Sequence, residues 1–485
     1  MYNQKIKPYY IIGLGIVFLF CMMILTIKSF GPGLTADSII YLSTGKNIIE
    51  NFSFTRFDGE ALSNWAPLYP CIMALGYFLH INIIWFALGL NFIAIAITGF
   101  VTYHIIKKHI HQAYAIPFIT ICILAFPYYK LIITIYSESI FICFQAFFLL
   151  YFLRYFYSQS NKYLYISAIF MALMCLQRYA GFMMLLVAIL ILLTDENIRY
   201  KIKSTLVFIA ISFLPSLPWL IKNYLVSGGL TGQHTVSGKL NPSNLGLNLY
   251  HILVYLQVHY ALLFLFGSLI FFWAATLYFH QKNTGHTATK KAAKALWFYC
   301  SAYLFLLLLQ KSLHLFEIAR YLSVLYVPMI CYAAMFIDEW YKKYQSDKSS
   351  ALAIKYILIS ITTLQCFSIM HHIYRTKEIG VGGFGTDWWT NKALSAFVKE
   401  KTTDKKVMSN YPDFMWLMNE KEYHFSQYKG EPLDEYKLRD KGDEYLLWFK
   451  QPMRQTLIEP QDTIGFYILE NTPAYTFYKL KKVLN

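Results

Sequence analysis

Apolar residues run along this chain in long blocks, separated by short polar stretches rich in lysine. A membrane-crossing helix needs about 20 mostly apolar residues, with roughly 17–25 tolerated. On that measure, spans are expected at 9–27, 83–103, 113–129, 138–154, 163–177, 179–194, 205–221, 258–279, 295–310, 320–337 and 351–370, about eleven in all. The apolar stretch 67–81 is different, because Pro67, Pro70 and His80 leave too little for a crossing. It reads as a helix lying along the membrane interface. Lys5 and Lys7 before the first block imitate a signal peptide, but the block exceeds an h-region of about 7–15 residues and reads as an uncleaved span.

After residue 370 the pattern changes. Apolar spacing at Trp389, Ala393 and Phe397 predicts a helix over 387–400, and short β-rich runs follow at 405–409, 444–449, 464–469 and 474–480. Pro412, Pro452, Pro460 and Pro473 punctuate them. The expected organisation is therefore a transmembrane domain over 1–370 and a small extracytoplasmic α/β domain over 371–485. Two long outer loops, 28–82 with its interfacial helices and 222–257, belong to the first.

Composition agrees with this and narrows it. Of 485 residues, 57% are hydrophobic and only 14% charged, against about 25% charged in soluble domains. A soluble enzyme, a disordered chain and a secreted disulfide scaffold are excluded. The net charge of +16 could suggest nucleic acid, but the basic residues are scattered through loops and tail with no recognition motif, so no nucleic-acid partner is expected. Loop lysines instead orient a membrane protein and contact the bilayer. The loops 104–112, 155–162, 195–204, 280–294 and 338–350, with the N-terminus and Arg154, carry 16 Lys and Arg, and the opposite set carries 9. That asymmetry places the N-terminus in the cytoplasm and the C-terminal domain outside a cell membrane. The eight cysteines lie in apolar blocks without C-x-x-C spacing and read as core residues.

Outside the cytoplasmic loops, residues 1–370 hold six carboxylates: Asp37, Glu50, Asp58, Glu60, Glu138 and Glu317. Acid–base or metal chemistry in the outer half must draw on these, on histidines, or on the tail. Asp37 follows Thr35, a plausible N-cap, and sits in the first turn of a helix whose apolar positions Ile40, Tyr41, Thr44 and Ile48 share a face. It suits an ordinary helix N-terminus, a metal ligand, or a general base. Glu138 opens a span in IYSESIFI, where a charge at the membrane boundary needs a partner. Arg178 in LQRYAGF and Arg320 in IARYLSV flank apolar blocks on the outer side. Both can snorkel to the interface, and both can fork onto phosphate oxygens. Lys222, His234 and Lys239 in the second long loop could add positive charge.

The order Asp37, Tyr41, Asn47, Phe52, Phe54, Trp65, Pro67, Leu68, Tyr69, Pro70 resembles the first outer loop of the membrane-embedded GT-C glycosyltransferases. The closer likeness is to the branch of lipopolysaccharide-core and lipid A sugar transferases, related to protein O-mannosyltransferases and aminoarabinose transferase. The resemblance continues through Ser137–Glu138, Arg178–Tyr179–Ala180–Gly181, Pro218 to Asn223 and Arg320–Tyr321. It departs at Ser38, at Lys222 where Arg is usual, and at Trp65–Ala66.

The resemblance implies a GT-C-like helical membrane fold and transfer of a sugar from a polyprenyl-phosphate donor to a lipid, glycan or protein hydroxyl of the cell envelope, with inversion. It implies catalytic roles for Asp37 and Glu138. Substrate contacts are expected at Tyr41, Trp65, Tyr69, Arg178, Tyr179, Lys222, His234, Arg320 and Tyr321. A divalent metal ion is a candidate cofactor, with Asp37, Glu138 and Glu317 as candidate ligands. No nucleotide cofactor is expected, since no P-loop or Gly-rich strand–helix turn is present. The competing class is a transporter or flippase of a lipid-linked sugar, which predicts charged residues at mid-span and paired interrupted helices. Neither stands out in the sequence.

Overall fold

The structure, a computed structural model, describes residues 8–107, 120–194, 198, 200–232, 287–308, 318–344, 348–402, 404–405, 407–421, 423–425, 445–450 and 466–480. His234, Glu317, Lys239, most of the loop 222–257 and the expected span 258–279 lie outside these residues. The described residues fall into two compact units. One draws on Met1–Ser29, Ser63–Tyr69 and Ile84–Glu378, the other on Phe30–Leu62, Pro70–Ile83 and Ile379–Asn485.

The first unit is helical. Six helices among the described residues are long and apolar enough to cross a bilayer: Pro8–Ile27, Ile83–Ile106, Glu138–Ser158, Lys201–Ser227, Arg320–Asp338 and Lys355–Ile379. Shorter apolar helices include Ala180–Thr194 and Thr120–Ile132. The chain is thus a multi-pass helical membrane protein, with six such spans described where eleven were expected. The helix Glu138–Ser158 is central: most of its side chains are buried, against Asn161–Gln177 on one side and Ile318–Tyr344 on another. Its interior is aromatic, with Phe148 stacked on Phe152 at 4.9 Å and Phe147 on Phe170 at 4.8 Å. One crossing is interrupted, which the sequence reading did not foresee. A short 3-10 turn, Leu214–Ser216, separates Lys201–Phe213 from Leu217–Ser227. Pro215 and Pro218 lack the N–H groups that a continuous helix would use there.

In the second unit, Ala36–Asn51 carries a reciprocal cap: the Thr35 hydroxyl accepts from Ser38 N–H, and the Ser38 hydroxyl accepts from Thr35 N–H at 3.0 Å. The helix Leu68–Phe78 has 11 residues. At 1.5 Å per residue that is about 16 Å, half the hydrocarbon thickness of about 30 Å.

Among the described residues the tail forms a five-stranded sheet of order β2-β1-β3-β5-β4. The strands are β1 Val407–Ser409, β2 His424–Phe425, β3 Tyr445–Phe449, β4 Phe466–Asn471 and β5 Tyr475–Leu480. β1 runs parallel to β2 and β3, while β5 pairs antiparallel with β3 and β4. The helices Lys392–Thr402 and Pro412–Asn419 accompany the sheet. Trp389, 1% exposed, anchors an aromatic core with Phe414 at 4.4 Å, Tyr411 at 4.8 Å and Phe449 at 5.5 Å.

Candidate functional site

The helical unit brings three of the sequence-identified charges together at the ends of three helices. Glu138 is the first residue of Glu138–Ser158, Arg178 is the C-cap of Asn161–Gln177, and Arg320 lies in the first turn of Ile318–Tyr344. The Arg178 guanidinium meets Glu138 Oε1 at 2.5 Å, and Arg320 Nε donates to the same oxygen. Glu138 is 1% exposed and Arg320 5%, while the Arg178 side chain keeps 19% of its surface. Two guanidiniums and one carboxylate leave one net positive charge, almost wholly out of water.

Neighbouring groups fix this triad. Arg178 also donates to the Ser137 hydroxyl at 2.9 Å, and the buried Gln177 amide donates to Ser137 O at 3.0 Å. The last residue of one helix and its C-cap are therefore tied to the N-cap of the helix that precedes it in the chain. The Arg320 guanidinium lies over the Tyr136 ring, 4.4 Å from its centroid, an attraction that strengthens when the cation is desolvated. The chain turns sharply after Arg178, with Gly181 N–H donating to Arg178 O at 2.8 Å. A Cβ on Gly181 would stand 2.6 Å from Cys175 N, so only glycine fits the close approach that the RYAG run requires.

Next to Arg178, Tyr179 is the hub of a second network. Its hydroxyl faces two carbonyls, Ser63 O at 2.8 Å and Trp65 O at 3.1 Å, and accepts from Asn223 Nδ2 at 2.8 Å and Trp219 Nε1 at 3.1 Å. One phenol thus holds the strand of chain 63–66 to the helix Leu217–Ser227. Lys222 sits over the Trp219 ring at 4.3 Å. Tyr69 is fully buried, and Tyr321 O accepts from the Tyr303 hydroxyl at 3.2 Å.

Asp37 and Tyr41 belong to the second unit. Asp37 is half-buried in the first turn of Ala36–Asn51, and Tyr41, one turn on, is 4% exposed. Ser38, at the position where the resemblance leads one to expect a second acid, is fully buried and spent on the helix cap. Asn47 donates to Thr55 O at 3.0 Å and Arg56 O at 3.3 Å, which folds the loop after this helix back onto it.

The structure brings Glu138, Arg178, Arg320 and Tyr321 into one neighbourhood, and Tyr179, Trp65 and Lys222 into the adjoining network. The sequence reading does not single out Tyr136, Gln177, Trp219 or Asn223 individually. Asn223 falls within a motif already noted, whereas Tyr136 and Gln177 carry no signal of their own. Among the described residues no group of three or more His, Cys, Asp or Glu side chains converges as a metal site. Glu138 Oε1 already faces two guanidiniums, so a divalent ion there would meet like charge. Glu138 does not fit as a metal ligand in this arrangement.

Comparison with known proteins follows the same line. Residues 64–221 match the family described as dolichyl-phosphate-mannose-protein mannosyltransferase. No curated protein matches the chain. Among solved structures, the chain is similar to ArnT from Cupriavidus metallidurans bound to undecaprenyl phosphate, with a TM-score of 0.59 and 10% identity over 96% of this chain and 97% of that one. It is similar to the oligosaccharyltransferase of Archaeoglobus fulgidus in complex with Zn and sulfate, with a TM-score of 0.63 and 14% identity over 90% of this chain and 68% of that one. It is also similar to the arabinofuranosyltransferase AftD from Mycobacteria, with a TM-score of 0.55 and 13% identity over 98% of this chain and 40% of that one. Identities this low speak for fold alone. The resemblance to the GT-C membrane glycosyltransferases drawn from the motifs holds: the fold is theirs, and the matched segment carries Trp65, Tyr69, Glu138, Arg178 and Tyr179.

Proposed function

We propose that this protein transfers a sugar from a polyprenyl-phosphate-linked donor to a hydroxyl of an envelope lipid, glycan or protein on the outer face of the cell membrane, with inversion at the anomeric carbon. The observation that carries the reading is the buried Arg178–Glu138–Arg320 cluster, which keeps one positive charge at the ends of membrane helices. A lipid-borne sugar phosphate is the class of substrate that needs such a charge inside a bilayer.

The chemistry asks little else of the cluster. The bond from sugar C1 to the phosphate oxygen breaks, and a bond from the acceptor oxygen to C1 forms on the opposite face. The phosphate leaves as an anion and needs no strong general acid. A guanidinium aimed at its oxygens stabilises the charge that develops. Arg178, the more exposed of the two, is the arm for this role; Arg320 supplies charge from behind it. Glu138 is a positioning residue that holds both guanidiniums. Tyr179 fixes the chain at 63–66, so Trp65 is held in a defined conformation. The acceptor proton is assigned to Asp37 on the strength of the motif resemblance and its ionisable carboxylate in a first helical turn.

The test is transfer of labelled sugar from a polyprenyl-phosphate donor by the purified protein, with the product's mass and anomeric configuration determined. Asp37→Asn keeps the shape and removes the base. Its transfer rate should fall about 10²–10⁴-fold, the usual span for general-base catalysis, with membrane insertion unchanged. Wild-type transfer by that variant refutes the role of Asp37, and no product from the native protein refutes the reaction.

A further inference from the structure

A second set of cations lies elsewhere in the helical unit, and the reaction above does not use it. The helix Ile83–Ile106, with Lys107 just beyond it, and the helix Glu138–Ser158 enclose a cavity of about 90 Å³ together with Ile318–Tyr344. Its polar lining is His104, Lys107, Arg154 and Tyr157. Leu150, Leu153 and Met335 form much of the apolar wall. Among the described residues that line it there is no carboxylate.

Among the described residues, the side chains of Lys107 and Arg154 make no hydrogen bond or ion pair. The Arg154 guanidinium instead rests over the rings of Tyr151 at 5.6 Å and Tyr163 at 5.9 Å. Stacking of this kind uses a face of the guanidinium plane and leaves its N–H fork unspent. Tyr157, 45% exposed, stands at the rim as an aromatic does at a membrane interface. Cations with no counter-ion among the described residues on one side of a cavity, and aliphatic side chains on the other, match a phosphate group joined to hydrocarbon.

We infer that this cavity binds the phosphate of an anionic phospholipid headgroup, with Arg154 and Lys107 on the phosphate and Leu150, Leu153 and Met335 against the lipid's glycerol and first methylenes. Basic pockets between membrane helices take anionic headgroups in this way. The loop charges put this end of the bundle in the inner leaflet, opposite the donor site, so the inference does not rest on the proposed transfer. Inorganic phosphate shares the polar half of the chemistry but would leave the apolar wall uncovered.

The experiment titrates the intact protein in detergent with phosphatidylglycerol, phosphatidylcholine or inorganic phosphate and counts adducts by native mass spectrometry. Phosphatidylglycerol should bind more tightly than the other two. Lys107→Gln and Arg154→Gln should each weaken it about fivefold, the factor for one cation beside an anionic headgroup, and the double variant about 25-fold. Phosphatidylcholine binding should not change. Circular dichroism checks the fold; if Arg154→Gln disturbs it, Lys107→Gln at an exposed position still carries the fivefold expectation. Wild-type phosphatidylglycerol binding in the folded variants overturns the inference. So does inorganic phosphate binding as tightly as the lipid, which would assign the cavity to a soluble anion.

Discussion

Replacing Glu138 by Gln tests whether the triad is a coupled electrostatic unit. The substitution keeps volume and a carbonyl oxygen, but leaves two guanidiniums facing each other with no negative charge between them. Arg320 at 5% exposure has no water to fall back on, whereas Arg178 at 19% is partly screened. Most of the cost therefore falls on Arg320. Removing one partner of a buried ion pair costs roughly 3–5 kcal/mol, which is about 10²–10³ or more in the folding equilibrium. Arg320→Gln, by contrast, leaves a neutral Glu138–Arg178 pair and should cost roughly 1–3 kcal/mol. The double variant keeps only Arg178 as a charge, so it should be more stable than Glu138→Gln alone. Unfolding by denaturant in micelles, followed by tryptophan fluorescence, gives the three values for a double-mutant cycle. If Glu138→Gln costs less than about 1 kcal/mol, or the two single costs simply add, the three residues are not the unit described here.

Three further substitutions probe neighbouring features. Arg178→Lys keeps the charge, and an ammonium can replace the Nη1 contacts to Glu138 and Ser137, but the remaining arms of the planar fork are lost; sugar transfer should fall at least tenfold with folding retained, measured as kcat/KM for the donor. Tyr179→Phe removes the hydroxyl shared by Ser63, Trp65, Trp219 and Asn223, and should destabilise by about 1–3 kcal/mol and quicken proteolysis near residue 64. Gly383 sits at φ +59, and a Cβ there would overlap Leu34 O. Gly383→Ala should therefore cost roughly 2 kcal/mol or more and break the Phe384 N–H bond to Leu34 O, 2.7 Å in the native chain, as read by faster amide exchange.

Much of the fold could be read in advance because membrane spans announce themselves by length and hydropathy. The expected 9–27 and 138–154 fall within Pro8–Ile27 and Glu138–Ser158, and the four β-rich runs of the tail fall on β1, β3, β4 and β5. The helix Pro412–Asn419 is not evident from the pattern although its signal is present: Pro412 and Asp413 suit a helix's first turn, but a proline among short β-rich runs reads equally as punctuation. β2 has only two residues and gives no alternation to detect. The candidate site was legible as residues but not as an arrangement. Glu138, Arg178 and Arg320 were each singled out, and the cost of a membrane-boundary carboxylate already required a partner for Glu138. Nothing in a single chain's spacing could say that the partners lie 40 and 182 positions away, because that depends on which helix ends meet in three dimensions.

That arrangement gives the carboxylate a purpose under the proposed reaction. A polyprenyl-phosphate sugar is a phosphodiester with one negative charge. Two unpaired guanidiniums would over-bind it and would repel each other inside the bilayer, whereas the triad's single net positive charge balances it. As the bond to C1 breaks, the phosphate moves towards a monoester with nearly two negative charges. The attraction to the triad is then larger in the transition state than in the bound donor, and only such a difference accelerates the step. A bare pair of arginines would bind both states more tightly, but their mutual repulsion would drive the two forks from the positions that Glu138 gives them, and a misplaced donor loses the transition-state contact. Glu138→Gln in enzyme that remains folded should accordingly tighten binding of a non-transferable polyprenyl-phosphate analogue while lowering kcat. A variant that binds the analogue more weakly and turns over at the native rate would refute this account of Glu138.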